Sequence, residues 1–229
     1  MSKIIDDLVR ECDERTTRAL ERWTPSIRLL GDTEAPFLKS VARKAKQLGI
    51  EVFGGEGFID AHCVDIIDQE TYEGPWDVLE YPWADDPDRL LEPDQFSSCA
   101  EALWRVLDRL GTAGKYITIV GRGHAVQGLA KALSMYGDAT VTVAHSMTPV
   151  LVRATLFADI LVIAAPIEPG DVLLGVQRPG PVVLDLVGKC KGSVREDMYY
   201  GDIGRLTVSV LLNRVAEDSY RAEGAGCFE

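Results

Sequence analysis

From Tyr116 to Leu186 the chain alternates strand-length apolar runs with helix-length segments, and nothing else in the sequence narrows the fold as far. The runs are Tyr116–Val120, Thr140–Ala144, Ile160–Ala165 and Val182–Leu186, built almost wholly from apolar and β-branched residues. A sheet that faced water on one side would favour strands with a polar residue at every second position. Near-continuous apolar character is what strands covered on both faces need. A helix running to about Tyr136 separates the first two runs, and a second over Val150–Phe157 separates the next pair. That order predicts a parallel sheet with helices on both faces.

Upstream the same alphabet recurs on a smaller scale. Residues 3–23 read as an amphipathic helix with Ile4, Ile5, Leu8, Cys12, Ala19, Leu20 and Trp23 near one face. A short strand at Ile27–Leu30 leads through Gly31-Asp32-Thr33 to a helix over Ala35–Leu48, which Gly49 should close. Strands follow at Ile50–Phe53 and Cys63–Ile67, then an irregular stretch over 69–97. Ser98-Cys99-Ala100-Glu101 has the form of a capping box opening a helix to Leu110, and a last helix should run from Leu206 to about Ala216.

The fold expected is therefore α/β with two lobes. The C-terminal lobe, residues 99–206, is a Rossmann-type parallel sheet with helices on both faces. The N-terminal α/β lobe takes residues 1–98 together with 207–229.

Charge excludes some functions. The 229 residues hold 24 basic and 36 acidic side chains, a net of −12. Between Asp60 and Glu101 stand thirteen acids and one base, Arg89, so this stretch alone accounts for the whole excess. An acidic chain without a basic run is a poor partner for nucleic acid, whose binding depends on neutralising phosphates. No apolar run approaches the ~20 residues of a spanning helix, and the N-terminal segment lacks the apolar core of a signal peptide. Five scattered cysteines never occur as Cys-x-x-Cys. Neither a disulfide framework nor a zinc site is expected, which suits a soluble cytoplasmic protein without a metal.

The chemistry gathers after the first strand of the regular region: Ile119-Val120-Gly121-Arg122-Gly123-His124-Ala125-Val126-Gln127-Gly128. Glycines between a buried strand and a helix N-terminus let the backbone approach a pyrophosphate. Val126 takes the place of the third glycine of Gly-x-Gly-x-x-Gly, so the loop by itself also suits a plain tight turn. The next strand narrows the nucleotide. An NAD site carries an acid there, about 20 residues on, for the ribose 2′-hydroxyl. Here Val143-Ala144-His145-Ser146 contains none. An acid would repel a 2′-phosphate, whereas Arg122 and the Ser146 hydroxyl would hold one, which favours NADP. The bland reading leaves Arg122 and Ser146 facing solvent.

Four segments then resemble the methylenetetrahydrofolate dehydrogenase/cyclohydrolase family in order and spacing. They are Ile119-Val-Gly-Arg-Gly-His-Ala-Val126, Ala139-Thr-Val-Thr-Val-Ala-His145-Ser146-Met-Thr148, Ala158-Asp159-Ile-Leu-Val162 and Val182-Val-Leu-Asp185-Leu186. The resemblance implies cofactor contacts at Gly121, Arg122, Gly123, His145 and Ser146, although the family has serine where Gly123 stands. The family's C-terminal loop becomes Tyr200-Gly201-Asp202-Ile203-Gly204-Arg205-Leu206-Thr207-Val208, with both prolines lost but two glycines in register. Gly201 and Gly204 are thereby implied at the substrate, a folate held between two lobes. A homodimer is implied as well.

The family's Tyr-x-x-x-Lys pair is not preserved. Counted back from Gly49 its positions are Phe37 and Val41; counted forward from Gly31 they are Lys39 and Arg43. The lysine belongs to the hydrolytic step, and neither valine nor an arginine that never becomes neutral can replace it. Hydride removal needs mainly positioning and a negative field around the cationic methenyl product. For that the resemblance offers Gln69 and Asp88 as catalytic residues and Phe37 and Val41 as substrate neighbours. The expected function is an NADP-dependent methylenetetrahydrofolate dehydrogenase without cyclohydrolase activity. The alternative is a degenerate paralogue that binds nucleotide, pterin or a protein partner without turnover.

Overall fold

A computed structural model describes residues 3–22, 25–30, 34–54, 63–67, 97–126, 128–172 and 180–225. Its chain divides into two compact units: Met1–Leu8 with Asp86–Thr207, and Val9–Asp85 with Val208–Glu229.

The larger unit is built on five parallel strands in the order β5-β4-β6-β7-β8. These are β4 (Tyr116–Val120), β5 (Thr140–Ala144), β6 (Ile160–Ile163), β7 (Val182–Asp185) and β8 (Tyr199–Tyr200). The interior strands are the apolar ones: all of β6 is buried, with four of the five residues of β4 and three of the four in β7. Strand β5 lies at an edge, and there only Ala144 is buried. Helices α4 (Leu129–Tyr136) and α5 (Leu151–Thr155) provide the crossovers, as the strand–helix alternation requires. The chain leaves β4 to lay β5 on one side, then returns past β4 to lay β6 on the other. That reversal opens a crevice between the carboxyl ends of β4 and β6, where open α/β sheets bind ligands.

Helix α3 (Ser98–Leu110) begins one residue earlier than the capping-box pattern implies. Its N-cap is Ser97, whose hydroxyl accepts the Ala100 amide at 3.0 Å. Glu101 accepts the Arg105 Nε–H at 2.9 Å, one turn on.

The smaller unit carries β1 (Ser26–Leu30), β2 (Glu51–Gly54) and β3 (Cys63–Ile67), all parallel in the order β2-β1-β3. Helix α1 (Lys3–Leu20) buries Ile5, Leu8, Cys12 and Thr16, the three- and four-residue spacing of one helical face. In α2 (Pro36–Leu48) the buried residues are Leu38, Val41 and Ala45. Proline at its first turn lacks an N–H that the helix would leave unpaired anyway. Gly49 ends it with φ at 81°, while the amides of Gly49 and Ile50 bond the carbonyls of Lys46 and Ala45 at 3.2 and 3.0 Å. Ile27, Leu29, Leu38, Val41, Ala45 and Ile50 pack with Val208, Leu212 and Val215 of α6 into one apolar core. Helix α6 (Ile203–Ala225) starts three residues before the expected Leu206 and runs nine beyond Ala216.

Candidate functional site

Strand β4 delivers Gly121 to the crevice. Its φ is 120°, a region that side chains avoid, and a Cβ there would lie 3.1 Å from the Ala164 carbonyl carbon just past β6. Glycine at 121 is thus required by the fold: the loop passes over the end of the neighbouring strand with no room for a methyl. The Gly121 amide is also engaged, donating to the Ala144 carbonyl at 2.8 Å. Gly123 is different, because none of the described residues lies within 4 Å of where its Cβ would be. Whatever explains glycine at 123 is not crowding by the described residues.

After Gly123 the chain makes a single 3-10 turn, His124–Val126, before α4 begins beyond Gly128 (φ 81°). Val126 is only 6% exposed. It fills, with a buried side chain, the place where a third glycine would let helix and strand come together. Ser97 ties this turn to α3, its hydroxyl reaching the Ala125 carbonyl at 3.4 Å.

The β4–β5 register pairs Val120 with Ala144, so Arg122 and Ser146 each stand two residues beyond the last pair, in the loops that follow adjacent strands. Both are exposed. The Arg122 guanidinium makes no ion pair among the described residues. The turn carrying Ser146 is tightly specified. The His145 amide donates to Thr148 Oγ1 at 2.9 Å, and the Thr148 amide returns a bond to the His145 carbonyl at 2.8 Å. The Met147 amide donates to His145 Nδ1 at 3.2 Å. With Nδ1 accepting, the neutral imidazole carries its proton on Nε2. Thr148 closes this turn and had no role in the sequence reading, although His-Ser-x-Thr held the signal: a threonine three residues on can close such a turn.

Gly121, Arg122, Gly123, His145 and Ser146 therefore share one end of one sheet. The proposed substrate residues are more dispersed. Val41 is fully buried in the apolar core of the smaller unit beside Leu38 and Ala45, a packing position. Phe37, one turn earlier, is 37% exposed. Lys39, from the other register, is exposed and paired with Glu34 at 2.6 Å, and Arg43 is exposed. Gly201 and Gly204 flank the start of α6; space at Gly204 is open, whereas a Cβ on Gly201 would meet the Tyr199 ring at 2.6 Å. Gln69 and Asp88, with nearly all of the acidic stretch, lie outside the described residues.

A second feature at the same sheet end escaped the sequence reading. Asp185, the last residue of β7, is completely buried. Its carboxylate accepts the amides of Val187, Gly188 and Cys190 at 3.0, 2.8 and 2.8 Å, and the Tyr199 hydroxyl at 3.2 Å. Burial and the neighbouring carboxylate push the Tyr199 phenol up to about 12 and the Cys190 thiol up to about 11. Among the described residues no group of three or more His, Cys, Asp or Glu could hold a metal ion, and no helix is long and apolar enough to cross a membrane.

Known proteins share this arrangement. The bifunctional protein FolD of Pseudothermotoga lettingae is 29% identical, over 96% of this chain and 99% of its own. Two solved structures of methylenetetrahydrofolate dehydrogenase/cyclohydrolase have the same fold. That from Thermoplasma acidophilum aligns with a TM-score of 0.69 at 19% identity, covering 95% of this chain and 97% of the other. The Trypanosoma brucei enzyme, complexed with NADP and an inhibitor, aligns at 0.67 and 20%, covering 96% of each. At such identities the structures speak for the fold alone. The family model for the tetrahydrofolate dehydrogenase/cyclohydrolase NAD(P)-binding domain matches residues 97–222. With that match spanning more than half of its length and the nucleotide loop in place at the switch point, this chain belongs to the tetrahydrofolate dehydrogenase/cyclohydrolase family.

Proposed function

We propose that the protein is an NADP-dependent 5,10-methylenetetrahydrofolate dehydrogenase that transfers hydride to NADP and has lost cyclohydrolase activity. One observation carries the cofactor: Arg122 and Ser146 are both exposed, each two residues past the paired ends of the neighbouring strands β4 and β5, with no acid between Ala144 and Asp159. A guanidinium and a hydroxyl suit a 2′-phosphate, and the missing carboxylate removes the usual partner of an unphosphorylated ribose. Gly121 holds the loop against the strand beneath it, and Gly123 leaves the space a pyrophosphate would occupy. When bound, NADP accepts the hydride; the protein positions its ends and gives the reaction a fixed geometry.

Loss of the hydrolytic half rests on α2. A group that polarises the pterin or activates water must reach substrate, and Val41 is an apolar side chain buried in a core. Gln69 and Asp88 remain the proposed residues for the dehydrogenase step, Phe37, Gly201 and Gly204 the proposed neighbours of folate, and a homodimer the proposed assembly.

The test is formation of the reduced nucleotide at 340 nm with methylenetetrahydrofolate and either NADP or NAD. Turnover with a preference for NADP is expected, and so is background-level hydrolysis of the methenyl product. Nucleotide binding without turnover would instead establish the degenerate paralogue. If neither nucleotide binds, the dinucleotide reading is wrong.

A further inference from the structure

We infer that Asp185, through the hydroxyl of Tyr199, is a positioning residue that locks the two loops beyond β7 and β8 and so sets how tightly the far half of the dinucleotide is held. The inference rests on the dinucleotide reading above. A carboxylate removed from water needs donors to replace its hydration, and Asp185 has four. Three are amides of the loop that follows it, which wraps around the carboxylate with Gly188 at φ 78°. That arrangement fixes the loop and leaves Val187 displayed at the strand end, 39% exposed.

The fourth donor does something the amides cannot. Tyr199 belongs to β8, so its bond to Asp185 fastens the loop after β7 to the strand that leads into residues 201–204. Gly201 makes room for this: any Cβ there would strike the Tyr199 ring at 2.6–2.9 Å. Gly201 is explained by the neighbouring phenol before any ligand is invoked.

Placement makes the device functional. The crevice opens between β4 and β6, and β7 is the next strand beyond β6. A dinucleotide lying across the crevice with its 2′-phosphate at Arg122 and Ser146 extends over β6 toward β7. With strands spaced about 4.8 Å apart, the Asp185 loop sits roughly two spacings from β4. Loops held rigid there bind the far half without paying to order it, and the benefit does not depend on the 2′-phosphate.

The experiment is titration calorimetry of NADP and of NAD against the full-length chain and Tyr199→Phe, which keeps the ring and removes one bond. Both dissociation constants should rise by a common factor of roughly three to ten, as loss of one hydrogen bond implies, with their ratio unchanged. A purely structural bond would lower the melting temperature and leave both constants alone, overturning the inference while the dinucleotide reading survives. If the wild-type chain binds neither nucleotide, both fall. Gly201→Ala supplies the independent check: it should weaken binding in the wild-type background and have no effect on binding in Tyr199→Ala, where the ring is gone. Equal weakening in both backgrounds would overturn the proposal.

Discussion

At the scale of single residues the two glycines of the loop separate into different roles. Gly121→Ala places a methyl 3.1 Å from backbone at a φ of 120°, so it should cost about 1–3 kcal/mol, read as a lowered urea midpoint. Gly123→Ala meets no atom of the described residues within 4 Å and should leave that midpoint within ~0.5 kcal/mol while weakening NADP binding. Arg122→Ala should raise the NADP dissociation constant by roughly ten- to a hundredfold, the worth of a charge-assisted bond, and change NAD little. Equal losses for both nucleotides would remove Arg122 from the 2′-phosphate. The sequence spelled Gly-Arg-Gly but gave no means of telling a glycine needed by the fold from one that leaves ligand space. That distinction depends on Ala164, 43 residues away, which only the β4–β6 pairing brings alongside.

Among the elements, α2 shows most clearly how local pattern and packing divide the work. Its C-terminus was legible, since glycine after an amphipathic run is a chemical stop signal. Which of its residues faces the core was not, because two registers against the family's Tyr-x-x-x-Lys were equally consistent with the spacing. The core settles the environment: position 41 is packed among Leu38, Ala45 and Leu212. Val41→Lys should therefore destabilise the fold by about 3 kcal/mol or more through an uncompensated buried ammonium, again read from urea unfolding. The N-cap of α3 teaches the same lesson in miniature. The capping-box pattern placed the cap at Ser98; the observed cap is Ser97, whose hydroxyl accepts the Ala100 amide and donates to the Ala125 carbonyl.

For the molecule as a whole, the Asp185 cluster predicts a pH dependence whose sign follows from linkage. The Tyr199 phenol rises from its ordinary 10 to about 12, and the Cys190 thiol from 9 to about 11. The native state thus binds more protons than the unfolded chain between those values, and stability falls as pH rises. The stabilisation is fully present below about pH 9 and is lost as the pH approaches 12. Urea unfolding at pH 8 and pH 10.5 should show it, and Tyr199→Phe should flatten the part that Tyr199 contributes. What the sequence determined alone is what depends on neighbours in the chain: the strand–helix alternation, the glycine-rich turn and the absence of an acid after β5. These are short-range signals, written in periodicity and in the chemistry of a few adjacent residues. Only the tertiary structure decided that Arg122 and Ser146 follow the ends of neighbouring strands, that Gly121 is crowded by Ala164 just past β6, and that a buried carboxylate gathers three donors from the loop after β7 and a fourth from β8. Each of these depends on which strands become neighbours, and a parallel sheet joins strands through crossovers that leave no local trace of the final order.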